Sequence, residues 1–103
     1  MIYEYSFFAQ AQKDYEQSLK WYLKKSVQAA EGFIDAIDHS LKQICAYPDR
    51  YRNTYKHYYE IGLKKYPFVL IYSIEKEQGL IIIWKVFHNK KNPKKKFSGL
   101  KKA

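Results

Sequence analysis

The stretch that decides the fold runs from Tyr66 to Pro93 and reads YPFVLIYSIEKEQGLIIIWKVFHNKKNP. It contains two apolar runs, Phe68–Ile74 and Leu80–Phe87, on either side of a charged turn that includes Gly79. Both runs are rich in Val, Ile, Tyr, Phe and Trp, the residues that pack well on a pleated surface. A short loop with a glycine near its end is typical of a β-hairpin. The first run is apolar on both faces, which predicts a central strand that is covered on both sides.

Length and composition limit the chain to one small domain. We expect 103 residues to form a single domain over 1–103. Cys45 is the only cysteine, so no internal disulfide can form and a reducing compartment is favoured. No apolar run reaches the ~18 residues of a membrane span, and MIYEYSFF lacks the basic start of a signal peptide. We therefore expect a cytoplasmic protein that does not enter a membrane.

The positive charge is concentrated near the C-terminus. The formal net charge is +9, from 19 basic and 10 acidic residues. Eight of the basic residues are lysines from Lys85 onward, where the chain has no acidic residue. The rest of the chain is nearly balanced, so the excess lies in a basic tail from about residue 94. Such a tail can contact nucleic acid or an anionic protein, or it can serve solubility alone.

Hydrophobic spacing before the hairpin predicts a strand followed by two helices. Ile2–Phe8 alternates in part, which suits an outer strand. Apolar residues then recur at three- and four-residue steps over Phe8–Leu23 and again over Val27–Ile44, the pattern of amphipathic helices. Ser26 is a suitable N-cap for the second helix, and Pro48 ends it. With almost no loop between them, the helices are expected to form an antiparallel hairpin.

The remaining segments complete an α+β fold. Thr54–Leu63 is predicted to be one strand, with Tyr55, His57, Tyr59 and Ile61 on one face. The predicted order is an N-terminal strand, a helical hairpin and a three-stranded antiparallel sheet. The helices should pack on the sheet, since neither can cover the apolar stripe of the other alone. The last stretch, NPKKKFSGLKKA, has only Phe97 and Leu100 to bury, so it is either a short helix or a disordered segment.

A set of short motifs accompanies this order of elements. The chain has Ala11 followed by Asp14, then Trp21-Tyr22, Phe33, Tyr66-Pro67-Phe68 with Ile71-Tyr72, and Val86-Phe87-His88-Asn89-Lys90-Lys91-Asn92-Pro93. Together they resemble the RelE/ParE superfamily of bacterial type II toxins, and its ParE branch more than its RelE branch. The resemblance covers essentially the whole chain. It implies a toxin that acts without a cofactor and that a co-transcribed antitoxin neutralises in a hetero-oligomer.

The two branches of the family make different chemical demands. ParE-like toxins poison DNA gyrase, whereas RelE-like toxins cut mRNA on the ribosome. Cutting RNA without a metal needs proton-transfer groups and cations beside the phosphate, which RelE-like members provide with Lys and Arg on the sheet face and a C-terminal Tyr or His-Tyr pair. Here the position that resembles their central arginine is apolar, near Val69, and His88 is followed by Asn89. The resemblance therefore favours an inhibitor of gyrase with no catalytic residue.

Two other functions stay open. A ribosome-dependent mRNA endoribonuclease would use His88, Lys90 and Lys64, since the pKa of histidine lies near neutrality. A structural His88, hydrogen-bonded to backbone at the end of its strand, is the interpretation we favour over a catalytic one. The third hypothesis is an inactive member that only binds an antitoxin or nucleic acid. No pair of the three histidines has metal-ligand spacing, so we expect no metal site.

Two groups of residues are candidates for binding partners. The residues predicted to bind the target follow the hairpin and are His88, Lys90, Lys91, Lys94, Lys95 and Lys96. The residues predicted to bind the antitoxin are aromatic or basic and are Tyr55, Tyr58, Tyr59, Arg50, Arg52 and Trp21. Tyrosine and arginine are enriched at protein interfaces. The same aromatic and basic mixture could stack on nucleic-acid bases or form ordinary sheet surface.

Overall fold

The two amphipathic stripes form a helical hairpin, and the β-branched runs form one five-stranded sheet. The computed structural model describes residues 2–100. Its strands and helices are β1 (Glu4–Phe7), α1 (Ala9–Lys25), α2 (Val27–Ala46), β2 (Arg52–Tyr55), β3 (Tyr58–Gly62), β4 (Phe68–Glu75) and β5 (Leu80–His88). This arrangement confirms the predicted α+β class. None of the helices in this part of the chain has the length and apolar character needed to span a bilayer.

One residue joins the two helices. Ser26 lies between α1 and α2 in an extended conformation, with φ −169° and ψ 151°. Its backbone N–H donates to Tyr22 O at 2.9 Å, and its Oγ accepts from Ala29 N at 2.9 Å. The side chain thus satisfies one of the free N–H groups at the start of α2. The predicted cap is confirmed, and α2 ends at Ala46, just before Pro48.

The strands lie in the order β1-β5-β4-β3-β2. β1 is at one edge and runs parallel to β5, and the other pairs are antiparallel. β4 is central, as its two apolar faces predict. The turn between β4 and β5 ends at Gly79, whose φ of 60° is left-handed and suits a glycine. The sheet therefore contains the predicted hairpin but has five strands, because β1 joins it and because Thr54–Leu63 is divided.

That division corrects the prediction of a single strand from Thr54 to Leu63. The chain reverses at Lys56 and His57, and Lys56 has a left-handed φ of 51°. The Asn53 side-chain amide donates to Lys56 O at 2.9 Å and to Tyr58 O at 3.0 Å. These bonds stabilise the turn locally, as asparagine amides commonly do. The alternation breaks at the turn itself, where two polar residues, Lys56 and His57, are followed by two tyrosines. The prediction of one strand placed His57 on the apolar face and so passed over this break.

The sheet is covered on both faces. On one face, α2 buries Phe33, Ile37 and Ile44 in a core that includes Leu70 and Tyr72 of β4. On the other face a second buried cluster contains Tyr58, Val69, Ile71 and Phe87. Phe97 and Leu100 pack against this second cluster. The C-terminal residues 92–100, here called the strap, therefore fold back over the sheet.

Three contacts hold the strap in place. The Phe97 ring stacks on Tyr55 with 4.6 Å between centroids. The Lys96 ammonium lies 2.6 Å from Glu60 Oε1, and the Lys85 ammonium donates to Lys95 O at 2.8 Å. Of the two alternatives left open for this stretch, the structure has short 3-10 structure at Pro93–Lys95 followed by turns. Residues 101–103 of the predicted basic tail lie outside the described residues.

A close approach between α2 and the segment before β4 requires a glycine. Tyr66 packs its ring against Tyr22 and Phe33, with centroids 5.2 Å and 5.7 Å apart. Its Oη donates to Ala29 O at 2.9 Å. A Cβ added to Gly32 would collide with the same Tyr66 Oη. Gly32, which weakens a helix by its intrinsic preference, is thus explained by packing.

The substitution Gly32→Ala tests this contact. In an ordinary helix the change stabilises by about 1 kcal/mol. Here we expect a loss of about 1–2 kcal/mol, because the methyl group must displace a hydroxyl held by Ala29 and by two aromatic rings. In a Tyr66→Phe background, which lacks the hydroxyl, the same substitution should be neutral or stabilising. Urea unfolding of the original chain, the two single variants and the double variant measures this double-mutant cycle. Equal changes in the free energy of unfolding on Gly32→Ala in both backgrounds would contradict the contact.

Buried tyrosines make stability fall in alkali. The Tyr72 hydroxyl donates to Pro48 O at 2.7 Å, and burial raises the pKa of Tyr72 well above its ordinary value of 10.0. Burial also raises the pKa values of Tyr15 and Tyr22. The folded chain therefore keeps protons that the unfolded chain loses, so this stability is complete below pH 10 and is lost as pH rises through the folded pKa values.

Tyr72→Phe separates the hydrogen bond that the Tyr72 hydroxyl makes from its effect on stability in alkali. At neutral pH we expect a loss of about 1 kcal/mol, because Pro48 O loses a buried hydrogen bond. Above pH 10 the variant should lose stability less steeply than the original chain. Urea midpoints measured across alkaline pH provide the readout, with the exposed Tyr47→Phe as control. If the urea midpoint of Tyr72→Phe falls with pH as steeply as that of the original chain, Tyr72 is not a source of the alkaline pH dependence.

Candidate functional site

The site forms where β5 extends beyond its neighbour. Pairing of β1 with β5 ends at Phe7 and Ile83, after which Phe8 N donates to Ile83 O at 2.8 Å and α1 begins. β5 continues to His88. From residue 84 onward, its outer edge faces α1 instead of a strand. Asp14 of α1 reaches this edge, where its Oδ2 accepts from Val86 N at 3.1 Å.

A groove of about 470 Å³ lies between α1 and the end of β5. Its apolar wall includes Trp21 and Tyr22 of α1 together with Pro67, Phe68 and Val86. Its polar lining consists of Asp14, Gln17, Ser18, His88, Lys90 and Lys91. We call this the α1–β5 groove. Aromatic surface beside lysines and a histidine suits recognition of an apolar side chain with a neighbouring negative charge.

Backbone hydrogen bonds hold His88 and the two lysines after it. His88 Nδ1 accepts from Lys90 N at 3.0 Å, and the ring lies edge-on to Phe68 with 4.8 Å between centroids. Lys91 N donates to His88 O at 3.0 Å. In the neutral ring the proton is thus assigned to Nε2, because Nδ1 is an acceptor. The tight turn sets Lys90 and Lys91 at the rim of the groove.

The structure brings an acid to this groove that sequence spacing could not place. Asp14 lies far from His88 in the chain, yet both line the same groove. Its carboxylate is already engaged, because Oδ1 accepts from Gln10 Nε2 at 2.8 Å and Oδ2 accepts from Val86 N. Asp14 therefore connects α1 to β5. The sequence feature that could have indicated this role is the position of Asp14 three residues after the buried Ala11, beside the apolar stripe of the helix.

The residues predicted to bind the target do not form one group. His88, Lys90 and Lys91 line the α1–β5 groove, and Lys94 and Lys95 are exposed on the strap. Lys96 differs, because it is partly buried and paired with Glu60 at 2.6 Å. The structure thus gives Lys96 a role within the fold.

The three residues of the nuclease alternative are also not brought together. His88 and Lys90 share the α1–β5 groove. Lys64 lines a different groove with His39, Gln43 and Tyr51. A single centre built from all three is therefore absent from this arrangement of the described residues. No group of three or more His, Cys, Asp or Glu side chains within residues 2–100 could hold a metal ion.

The residues predicted to bind the antitoxin have unequal exposure. Trp21 is 55% exposed, and the Lys25 ammonium lies over its ring, 4.9 Å from the centroid. Arg50 and Arg52 are exposed too. Tyr55 and Tyr59 are half-buried, Tyr55 under Phe97 and Tyr59 against Tyr72.

Tyr58 is fully buried in the second cluster. In this fold its side chain is therefore not exposed at the surface where an antitoxin would bind. The turn at Lys56 and His57 is the reason, since it sets Tyr58 opposite Tyr55 as a cross-strand partner. The two rings are parallel, 6.3 Å apart, on the face under the strap. In one continuous strand the two residues would point to opposite faces.

Comparisons with known proteins agree on one family of folds. A sequence model of the ParE toxin of type II toxin–antitoxin systems matches residues 5–93. The structure is similar to a chain of the chromosomal ParDE system of Pseudomonas aeruginosa, with a TM-score of 0.61, 14% identity, and coverage of 84% of this chain and 96% of that chain. It is also similar to a chain of the Mycobacterium tuberculosis RelBE2 toxin–antitoxin complex, with a TM-score of 0.60, 15% identity, and coverage of 85% and 99%.

A third similar structure is the isolated RelE toxin of Escherichia coli, with a TM-score of 0.61, 16% identity and coverage of 88% of both chains. None of the curated protein sequences matches the chain. At such low identities the solved structures establish the shared fold. The family match rests on the sequence model, which spans most of the chain.

The carboxylate of Asp14 gives a direct test of how the groove is built. Asp14→Ala should lower the free energy of unfolding by about 1–2 kcal/mol, since Val86 N loses its acceptor at a partly buried edge. Asp14→Asn keeps an acceptor oxygen and should cost clearly less. We expect faster amide exchange at Val86 in Asp14→Ala, measured by NMR, and little change in Glu16→Ala, which removes an exposed carboxylate of the same helix. Unchanged protection of Val86 in Asp14→Ala would show that the bond does not form.

Proposed function

Because the chain belongs to the ParE toxin family of type II toxin–antitoxin systems, we propose that it inhibits growth by binding DNA gyrase and that a cognate antitoxin neutralises it. The chain is a toxin of this class. The proposal concerns its target, which we take to be gyrase and not the ribosome. It further holds that the toxin acts by binding, without cutting its target.

The observation that carries this proposal is the covered face of the sheet. RelE-like nucleases place Lys and Arg on the sheet face to hold RNA. In this chain the face away from the helices carries Val69, Ile71 and Phe87, all buried. The strap lies over it, with Phe97 and Leu100 packed on the cluster. Apart from Lys85, whose ammonium is bonded to Lys95 O, the described part of this face is largely apolar and covered, which supports binding at the rim over catalysis on the sheet.

The α1–β5 groove is the surface we assign to the target. It presents the exposed ring of Trp21 beside Lys90 and Lys91. Aromatic side chains at the centre of a contact supply much of the binding energy of protein interfaces. Surrounding lysines speed association with an acidic surface and select against a basic one. Lys94 and Lys95 extend the positive rim along the strap.

A second surface, which shares Trp21 with the α1–β5 groove, suits the antitoxin. Trp21, Leu23 and Val27 lie near the junction of the two helices and are between 51% and 63% exposed. Large apolar side chains gathered on a surface mark a protein interaction site. At the other end of the two helices, β1 is an edge strand of the sheet, which another chain can extend or cover. The similar structures from ParDE and RelBE2, the second of which is a toxin–antitoxin complex, support such a partner.

One observation favours the ribosome-dependent nuclease as the second candidate. His88 and Lys90 share a groove with Asp14, so an imidazole, an ammonium and a carboxylate lie in one depression. Asp14 is engaged by Gln10 and Val86, and Lys64 lines another groove. Because the proton-transfer set is incomplete, the gyrase inhibitor ranks first.

A supercoiling assay tests the proposed function. Purified toxin added to gyrase and relaxed plasmid should inhibit supercoiling, and addition of the antitoxin should restore it. We expect Lys90→Ala combined with Lys91→Ala to weaken inhibition about tenfold or more, since each lysine supplies a charge at the rim. The control is Lys20→Ala combined with Lys24→Ala, which removes the same charge from exposed positions of α1.

Three outcomes would overturn the proposal. Normal supercoiling at saturating toxin would exclude gyrase as the target. New mRNA ends at codon boundaries in a translation extract, lost in His88→Ala, would establish the nuclease candidate in its place. A chain that causes no growth defect on expression would support the inactive binding module instead.

A further inference from the structure

Lys85 is a charged residue inside an apolar strand, and a bulge determines where it points. Ile71 pairs with Lys85, whereas the next residue, Tyr72, pairs with Ile83. Trp84 is therefore the extra residue of a β-bulge, which reverses the alternation of β5 from that point. Without the bulge Lys85 would share the helix face with Ile83. With it, Lys85 lies on the strap face and is only 8% exposed.

The Lys85 ammonium has unused hydrogen-bonding capacity. It donates to Lys95 O at 2.8 Å, and within residues 2–100 this is the one acceptor to which it is bonded. A lysine ammonium has three N–H donors, so two remain. Burial lowers the pKa of Lys85, and the nearby Asp14 carboxylate opposes that effect. The charge is thus held where its solvation is poor, and a bound anion would compensate for that loss.

This ammonium lines a groove of about 260 Å³ between the strap and the start of α1. Lys91 and Lys95 line the same groove, and so does Ser98, whose Oγ donates to Lys95 O at 3.0 Å. The one carboxylate there, Asp14, is already bonded to Gln10 and to Val86 N. Three lysines against one engaged carboxylate leave an excess of positive charge.

We propose that this strap groove binds a phosphate group, with the Lys85 ammonium at its base and Lys91 and Lys95 at its rim. A tetrahedral anion has several oxygens, so it can accept from all three ammonium groups at once. The Ser98 hydroxyl lies within the same lining. The group is either a free phosphate monoester or inorganic phosphate, or it is a phosphate of a nucleic acid. The site shares Lys91, Asp14 and Val86 with the α1–β5 groove, but Lys85 does not line that groove. It goes beyond the proposed function, because phosphate binding requires no gyrase.

Calorimetric titration of the full-length chain with inorganic phosphate, in chloride buffer of constant ionic strength, tests the proposal. We expect saturable binding that is about tenfold or more weaker in Lys85→Met, the loss typical of one charge-assisted hydrogen bond. Lys42→Met, which removes an exposed charge from α2, should bind phosphate as the original chain does. Lys91→Met combined with Ser98→Ala changes exposed side chains only and should weaken binding even if Lys85→Met fails to fold.

Competition with short DNA oligonucleotides identifies the source of the phosphate. Displacement of inorganic phosphate by an oligonucleotide, with the same dependence on Lys85, assigns the site to nucleic acid. Failure of the oligonucleotide to compete assigns it to a small phosphate compound. Equal affinity in Lys85→Met and Lys42→Met, or no saturable binding, would overturn the proposal. So would binding of an acidic peptide, but not of phosphate, with the same dependence on Lys85. Because gyrase is absent, this result is independent of the supercoiling assay.

Discussion

Strand β4 is apolar on both faces, and the need to remove both faces from water organises the rest of the chain. Phe68, Leu70 and Tyr72 pack under the helices, and Val69 and Ile71 lie on the opposite side. One helical hairpin can cover only one face of a sheet. The second face needs another cover, which the strap provides with Phe97 and Leu100. The C-terminal residues thus form part of the fold although most of them are polar.

The same requirement determines which lysines the fold uses internally. The strap helps to bury Val69. It also pairs Lys96 with Glu60 and accepts a hydrogen bond from Lys85 at the backbone of Lys95. Lys90 and Lys91 stay at the end of β5, where they line the α1–β5 groove. There β1 has ended, so the open edge of the sheet meets α1. The length difference between two parallel strands therefore places the α1–β5 groove.

Much of the fold could be predicted from the sequence, and less of the site. Both helix boundaries, the central strand and the hairpin followed from local spacing. The turn at Lys56 and His57 was missed, because His57 was assigned to an apolar face and the side-chain bonds of Asn53 that stabilise the turn leave no mark in residue spacing. Missing that turn also misplaced Tyr58. The bulge at Trp84 was hidden for a similar reason, since it changes which face a residue takes without changing the composition of the strand.

Spacing along the chain was enough to define the elements whose signals lie among near neighbours. Ser26 and Pro48 delimit a helix, and β-branched residues on both faces mark the run from Phe68 to Ile74 as a buried strand. Only the tertiary structure decided which chemical groups meet. Asp14 reaches Val86, and Lys85 reaches Lys95 O, because of where β1 stops and where the strap folds back. Such contacts depend on positions in space, and residue spacing along a chain carries no direct record of them.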